Sequence, residues 1–116
     1  MPTDPDCLFC RVVAGTIPAD IVHDDETVLA FRDLNPQAPT HILVIPKAHI
    51  ASAAELRATD AELLGRLFAV VADVADHEGL VRGWRVVTNV GEDGGQSVDH
   101  LHLHLLGGRR LAWPPG

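Results

Sequence analysis

The chain predicts an α+β fold in which one long helix lies across an antiparallel sheet. Three observations carry this reading. The segments Thr40–Pro46 (THILVIP), Trp84–Asn89 (WRVVTN) and the alternating run His100–Leu106 (HLHLHLL) have strand character. One segment alone, opening at Thr59 and closing at Gly79, repeats its apolar residues at helical spacing over several turns. The strands are separated mostly by turns, which favours antiparallel pairing over βαβ crossovers. At 116 residues and 47% apolar content the chain makes one domain over 1–116, large enough for a single core and too small for two.

In chain order, Cys7–Ala14 reads as a short helical turn, ended by Gly15 and the Ile17-Pro18 step. Ile21–His23 and Thr27–Arg32 are short strands joined by the turn-prone Asp24-Asp25-Glu26. Asn35-Pro36 and Ala38-Pro39 impose a structured loop before Thr40–Pro46, whose near-continuous apolar run marks a strand central to the sheet. The long helix starts with a capping-box pattern, Thr59-Asp60-Ala61-Glu62. It buries a face of Leu63, Leu64, Leu67, Phe68, Val70, Val71 and Val74. A glycine-rich loop, Val90–Ser97, then separates the last two strands. The Trp84–Asn89 strand or the long helix is the expected surface for self-association, most simply as a two-fold homodimer.

Net charge is -7, from 9 basic and 16 acidic residues, which disfavours nucleic acid and anionic membrane as partners. No stretch has the length or apolarity of a membrane span or a secretory signal, so a cytoplasmic location is expected. Cys7 and Cys10 stand in a C-x-x-C spacing. A redox pair, half a zinc site and two buried apolar residues are the options. The local pattern is not the βαβ context of a thioredoxin-like pair, and histidines elsewhere suit tetrahedral zinc.

The run 100–106 concentrates the chemistry. Read as a strand, it sets His100, His102 and His104 on one face and Leu101, Leu103 and Leu105 on the other. The leucines can be buried. Three imidazoles side by side can act near neutral pH as nucleophile, acid, base or metal ligand.

This His-φ-His-φ-His-φ-φ run (φ apolar), together with residues 29–50, DGGQSVDHLHLHLLGGR (93–109) and the terminal WPPG, resembles the histidine-triad (HIT) superfamily, and within it the Hint branch of purine nucleoside phosphoramidases. The resemblance implies a HIT-like fold: a five-stranded antiparallel sheet with one long and one short helix, joined in a homodimer to a ten-stranded sheet. It implies a hydrolase that binds purine nucleotides and cleaves the P–N bond of adenosine 5′-phosphoramidates through a covalent AMP–histidine intermediate. By the same resemblance His102 is the nucleophile, with its Nδ1 proton held by the main-chain carbonyl of residue 100. His104 donates to phosphate oxygens, Ser97 donates to the leaving group, and His41 orients the site. Asp33 would hold the ribose hydroxyls and Asn89 would lie near ribose and phosphate. Main-chain N–H groups of the loop Gly95, Gln96 and Ser97 would approach the phosphate, helped by the missing Cβ at Gly94 and Gly95. Phe9, Ile17, Phe31 and Leu34 resemble the base pocket, and Trp113 a residue reaching the partner's site.

Zinc-binding relatives place ligands at the positions of Cys7, Cys10 and His49, and His100 supplies a fourth. Four protein ligands make a structural zinc site. A catalytic zinc on His100, His102 and His104 together is the alternative. Other readings of the whole are a diadenosine polyphosphate hydrolase or nucleotidyl transferase, and a nucleotide-sensing scaffold without catalysis. Asp99 departs from close relatives, where the position is often aromatic, and sets a carboxylate next to the triad on the other strand face; His23 and His77 have no motif partner and are expected at the surface.

Overall fold

In a computed structural model that describes all 116 residues, the chain forms nine short elements. Helix α1 is Leu8–Ala14, followed by strands β1 (Ile21–Asp24), β2 (Val28–Arg32) and β3 (Thr40–Pro46). Two single 3-10 turns, Ala53–Glu55 and Ala58–Asp60, lead into α2 (Ala61–His77), then β4 (Trp84–Val87) and β5 (Leu103–Gly107). The five strands make one sheet in the order β1-β2-β3-β5-β4, every neighbouring pair antiparallel. The expected α+β architecture is present, with β3 at its centre and buried along its whole length.

Alternation along β2 and β3 gives the sheet two lined faces. Val28 and Ala30 on β2, with Ile42 and Val44 on β3, pack with Leu67, Val70, Val71, Val74 and Ala75 of α2 and with Leu101, Leu103 and Leu105. On the opposite face Leu29, Phe31, Leu43 and Ile45 pack with Cys7, Phe9, Cys10 and Val12 of the α1 region. Helix α1 needs little length for this, because both ends are closed. The Cys7 thiol accepts the Cys10 N–H at the start. Gly15 takes the left-handed φ of +79° at the end, a conformation that favours glycine.

Four sequence expectations are corrected. The histidine strand enters the ladder only at Leu103. Before it, the main chain is engaged elsewhere: the His100 N–H goes to Val98 O and the Leu101 N–H to Ile50 O. The alternation nonetheless persists, with Leu101 on the α2 face. Strand β4 stops at Val87; beyond it the Thr88 hydroxyl donates to His102 O and the Asn89 side-chain amide to Gly94 O. Helix α2 starts at Ala61 and its N-cap Asp60 makes no side-chain cap; the Asp60 carboxylate instead accepts the Arg57 N–H at 2.9 Å and closes the 3-10 turn Ala58–Asp60. His23 also differs from its expected role as an unpartnered surface residue. Its Nε2 lies 2.7 Å from the Asp25 carboxylate, which accepts the Thr27 and Val28 N–H groups and meets Arg66.

Leu67 is fully buried between α2 and the sheet. Leu67→Ala is expected to cost about 2–5 kcal/mol of unfolding free energy, read as a lower urea midpoint with an unchanged slope.

Candidate active site and metal centre

The site lies on the α1 face, where the segment before β5 crosses the end of β3. His100 is completely buried. Its Nε2 sits 2.8 Å from Pro46 O, and a carbonyl can only accept, so the ring proton is on Nε2 and the lone pair is on Nδ1. That lone pair faces sulfur: Cys7 Sγ at 3.3 Å and Cys10 Sγ at 3.6 Å. Cys10 Sγ is also 3.4 Å from His49 Nδ1. The four donor atoms all lie within 4.8 Å of one another. Two thiols and two imidazoles converging on one point are the donor set of a four-coordinate zinc site, and the carbonyl behind His100 is the outer-shell contact that fixes a metal-bound histidine's tautomer. Burial, the main effect, pushes the Cys10 thiol above its ordinary range, so without a cation that thiol holds its proton.

The main chain of the same residue holds the next histidine. His102 Nδ1 donates to His100 O at 2.6 Å, which leaves the lone pair on Nε2. The Phe9 ring stands edge-on to His102, with centroids 5.1 Å apart, and fixes the imidazole plane. One metal shared by all three triad histidines is therefore not what the geometry offers. His100 turns its free nitrogen to the cysteines, while His102 spends Nδ1 on the backbone.

His102 and His104 border a cavity of about 210 Å³ with Ser97 and Asp33, and its apolar wall includes Phe9, Ile17, Phe31 and Leu34. Leu34, 94% exposed, forms a rim and not a buried wall. Leu8, Val12, Leu43 and Val98 also line it, and Pro18, Ala19 and Arg32 complete the lining. In sequence the apolar residues look like any core positions, and only the α1 packing assigns them to the cavity. His104 lies across from Leu43 in the β3–β5 ladder, one diagonal step from His41. Their rings bond, His41 Nε2 to His104 Nδ1 at 2.9 Å. Asp33 has two uses: one oxygen caps the turn by accepting the Asn35 N–H, and the other lies 3.5 Å from His41 Nε2. Burial, with the neighbouring imidazoles, pulls His104 down to about 4, and burial likewise lowers His41 against the opposing pull of Asp33. Both rings are neutral at pH 7.

The glycine loop stands beside this cavity but is tied to itself. The Gly95 N–H donates to Glu92 O and the Gln96 N–H to Gly91 O, so those two amides are not free for a phosphate as the sequence suggested. The Gln96 side chain is a staple, accepting from Gly91 N–H and donating to Ala51 O and Val98 O. Asn89 faces the loop carbonyl of Gly94. A Cβ on Gly94 would collide with the Val90 main chain, which accounts for glycine there. Trp113 is 83% exposed in the tail, outside the cavity of its own chain, and Arg85 ties that tail to β4 through Ala112 O. A larger cleft of about 610 Å³, lined by Arg82, Arg109, Arg110 and glycines, opens past the far end of β5 and holds no nucleophile. Chemistry, and not size, therefore selects the smaller cavity.

A sheet that presents paired imidazoles into an apolar cleft, above a Cys/His cluster, defines a histidine-triad protein. The chain belongs to the HIT family: residues 14–111 match the HIT domain. It is 56% identical to an uncharacterized HIT-like protein of Synechococcus elongatus over 111 residues, 96% of this chain and 97% of that one. It is 50% identical to the 14 kDa zinc-binding protein of Zea mays, over 97% of this chain and 90% of the other. A crystal structure of a HIT family hydrolase from Legionella pneumophila superposes with a TM-score of 0.94 at 52% identity, covering 96% of this chain and all of that one. A HIT family hydrolase from Clostridium thermocellum gives 0.92 at 40% identity, over 95% and 96% of the two chains.

The depressed imidazoles make stability depend on pH. Below the ordinary histidine value of about 6.5 the unfolded chain takes up protons that folded His104 and His41 refuse. Their contribution is complete above that value and is lost as pH falls toward His104's folded value of about 4. The urea midpoint should decline steadily from pH 7 to 4.5, less steeply in His104→Asn; a flat wild-type midpoint would contradict the assigned burial.

Proposed function

We propose that this HIT protein is a Hint-type hydrolase that cleaves the P–N bond of adenosine 5′-phosphoramidates, with a general preference for purines. The observation that carries the reading is the His102 ring, with its proton fixed on Nδ1 by His100 O at 2.6 Å and its Nε2 lone pair free beside Ser97 and His104. In the proposed reaction Nε2 attacks the α-phosphorus and the P–N bond breaks. The amine leaves with a proton drawn from solvent through the Ser97 hydroxyl, and AMP remains on Nε2. The adenylated ring is cationic, and the carbonyl at Nδ1 stabilises that charge without moving. Water then attacks phosphorus, the P–Nε2 bond breaks, and AMP and a proton are released, so one hard displacement becomes two easier ones. His104 would donate to the non-bridging oxygens, Asp33 would receive the ribose hydroxyls, and the Phe9, Ile17 and Phe31 wall would take the base.

Cys7, Cys10, His49 and His100 would hold a structural zinc, in keeping with the name of the maize relative. The ion would supply cross-linking, tying α1 to the loop after β3 and to the triad segment. Metal binding of this kind contributes on the order of 10 kcal/mol to folding. A homodimer would form at β4, an edge strand whose Trp84 is 43% exposed, and would extend the sheet to ten strands. Trp113 would then serve the partner's cavity.

Acid-quenched mass spectrometry during turnover of an AMP–amine substrate should find an adenylate on the peptide that contains His102, and His102→Ala should lose at least about 1,000-fold in kcat. Full activity of that variant would refute the mechanism. Protein purified without chelator should carry about one zinc per chain, and Cys10→Ser should lose both the metal and thermal stability. Wild-type protein with far less zinc would refute the metal assignment.

A further inference from the structure

Two histidine clusters flank the nucleophile, and main-chain groups of opposite kind, an acceptor in one and a donor in the other, put the ring proton of each on Nε2. At His100 a carbonyl takes the proton and turns a lone pair toward the cysteines. At His41 the main chain donates instead: the Gln37 N–H points at His41 Nδ1 from 3.0 Å. The His41 proton must then sit on Nε2, where it is directed at His104 Nδ1, 2.9 Å away. This places the His104 proton on Nε2, the one donor that ring has left, on a residue that lines the cavity. The ligand atoms of Asp33, His41 and His104 also lie within 4.8 Å of one another, as in the metal cluster. A metal could use His41 Nε2 only by stripping its proton to an imidazolate, so this second cluster is a proton-ordered chain and not a second metal centre.

The chain has an anchor outside the site. Arg109, just past β5, clamps Gln37 O with Nε at 3.2 Å and Nη2 at 3.1 Å, and it is the only side chain bonded to that carbonyl. We infer that Arg109 and His41 are positioning residues: Arg109 holds the Gln37 peptide, Gln37 N–H fixes the His41 tautomer, and His41 fixes His104 as an Nε2–H donor toward a phosphate. The inference rests on the proposed hydrolase reading for its phosphate, but the tautomers can be measured without any substrate. Neutral rings matter here, because a doubly protonated His104 would donate from either nitrogen.

Long-range proton–nitrogen correlation spectra of the full-length protein at pH 7 should show His41 and His104 both as Nε2–H tautomers. In His41→Phe the His104 ring should become a mixture of tautomers, with kcat about 10- to 100-fold lower and KM within about two-fold. His41→Gln, whose amide can still donate to His104 Nδ1, should recover most of both readouts. Arg109→Ala should lower kcat about 3- to 10-fold through the loosened Gln37 peptide, and Arg109→Lys less. An Nδ1–H form of His104 in the wild type would overturn the inference. So would unchanged tautomers and rate in Arg109→Ala and His41→Phe. Should His41→Phe fail to fold, a His41→Gln protein that recovers neither readout would overturn it equally. Correct tautomers in a protein that turns over no AMP–amine would sink the hydrolase reading and leave the proton order standing.

Discussion

His100 is the constraint on which the other parts depend. It is wholly enclosed, and its ring and its carbonyl serve different neighbours: the ring joins Pro46 O to the cysteine sulfurs, while the carbonyl takes the His102 proton. A buried polar group costs free energy unless it is bonded, and here each atom that could be left unpaired is used to orient something else. In this fold no fully buried side-chain nitrogen or oxygen lacks a partner. Position 100 therefore links the N-terminal turn, the end of β3 and the reactive ring through contacts shorter than 4 Å.

Much of this was legible in the residues. A near-continuous apolar run located β3 to the residue, because both of its faces are buried, and helical spacing found α2, because one of its faces is. The C-x-x-C spacing and the histidine run pointed to a metal cluster and to a reactive face. What was illegible is where main chain and side chain compete. The triad looked like strand from His100 onward, yet its first residues give their backbone groups to Val98, to Ile50 and to a histidine ring. The glycine loop looked like an open anion cradle, but two of its amides are satisfied within the loop. Gln37 and Arg109 fell inside the resembling segments without a role of their own, since their part in the site is played by a main-chain amide and by a guanidinium far along the chain.

Proton placement ties these observations together. A neutral imidazole has one donor and one acceptor, so a single main-chain contact decides which side is which. Across the site three backbone groups make that choice: Pro46 O for His100, His100 O for His102 and Gln37 N–H for His41. Chemistry is thus specified by rigid strand ends and a proline-bounded turn rather than by mobile side chains, which suits a site that must be ready before its ligand arrives.

The two lined faces of the sheet are unequal. The α2 side is a cluster of 12 buried residues against a 17-residue helix, and the α1 side is a cluster of 8 against a helix of 7. All the reactive groups are on the lighter side. Local opening of α1 would bare His102 while the heavier side stayed folded, so access to the cleft and survival of the scaffold draw on separate reserves. Sequence drift on the heavy side would be filtered by folding alone, and drift on the light side by what the cleft must admit.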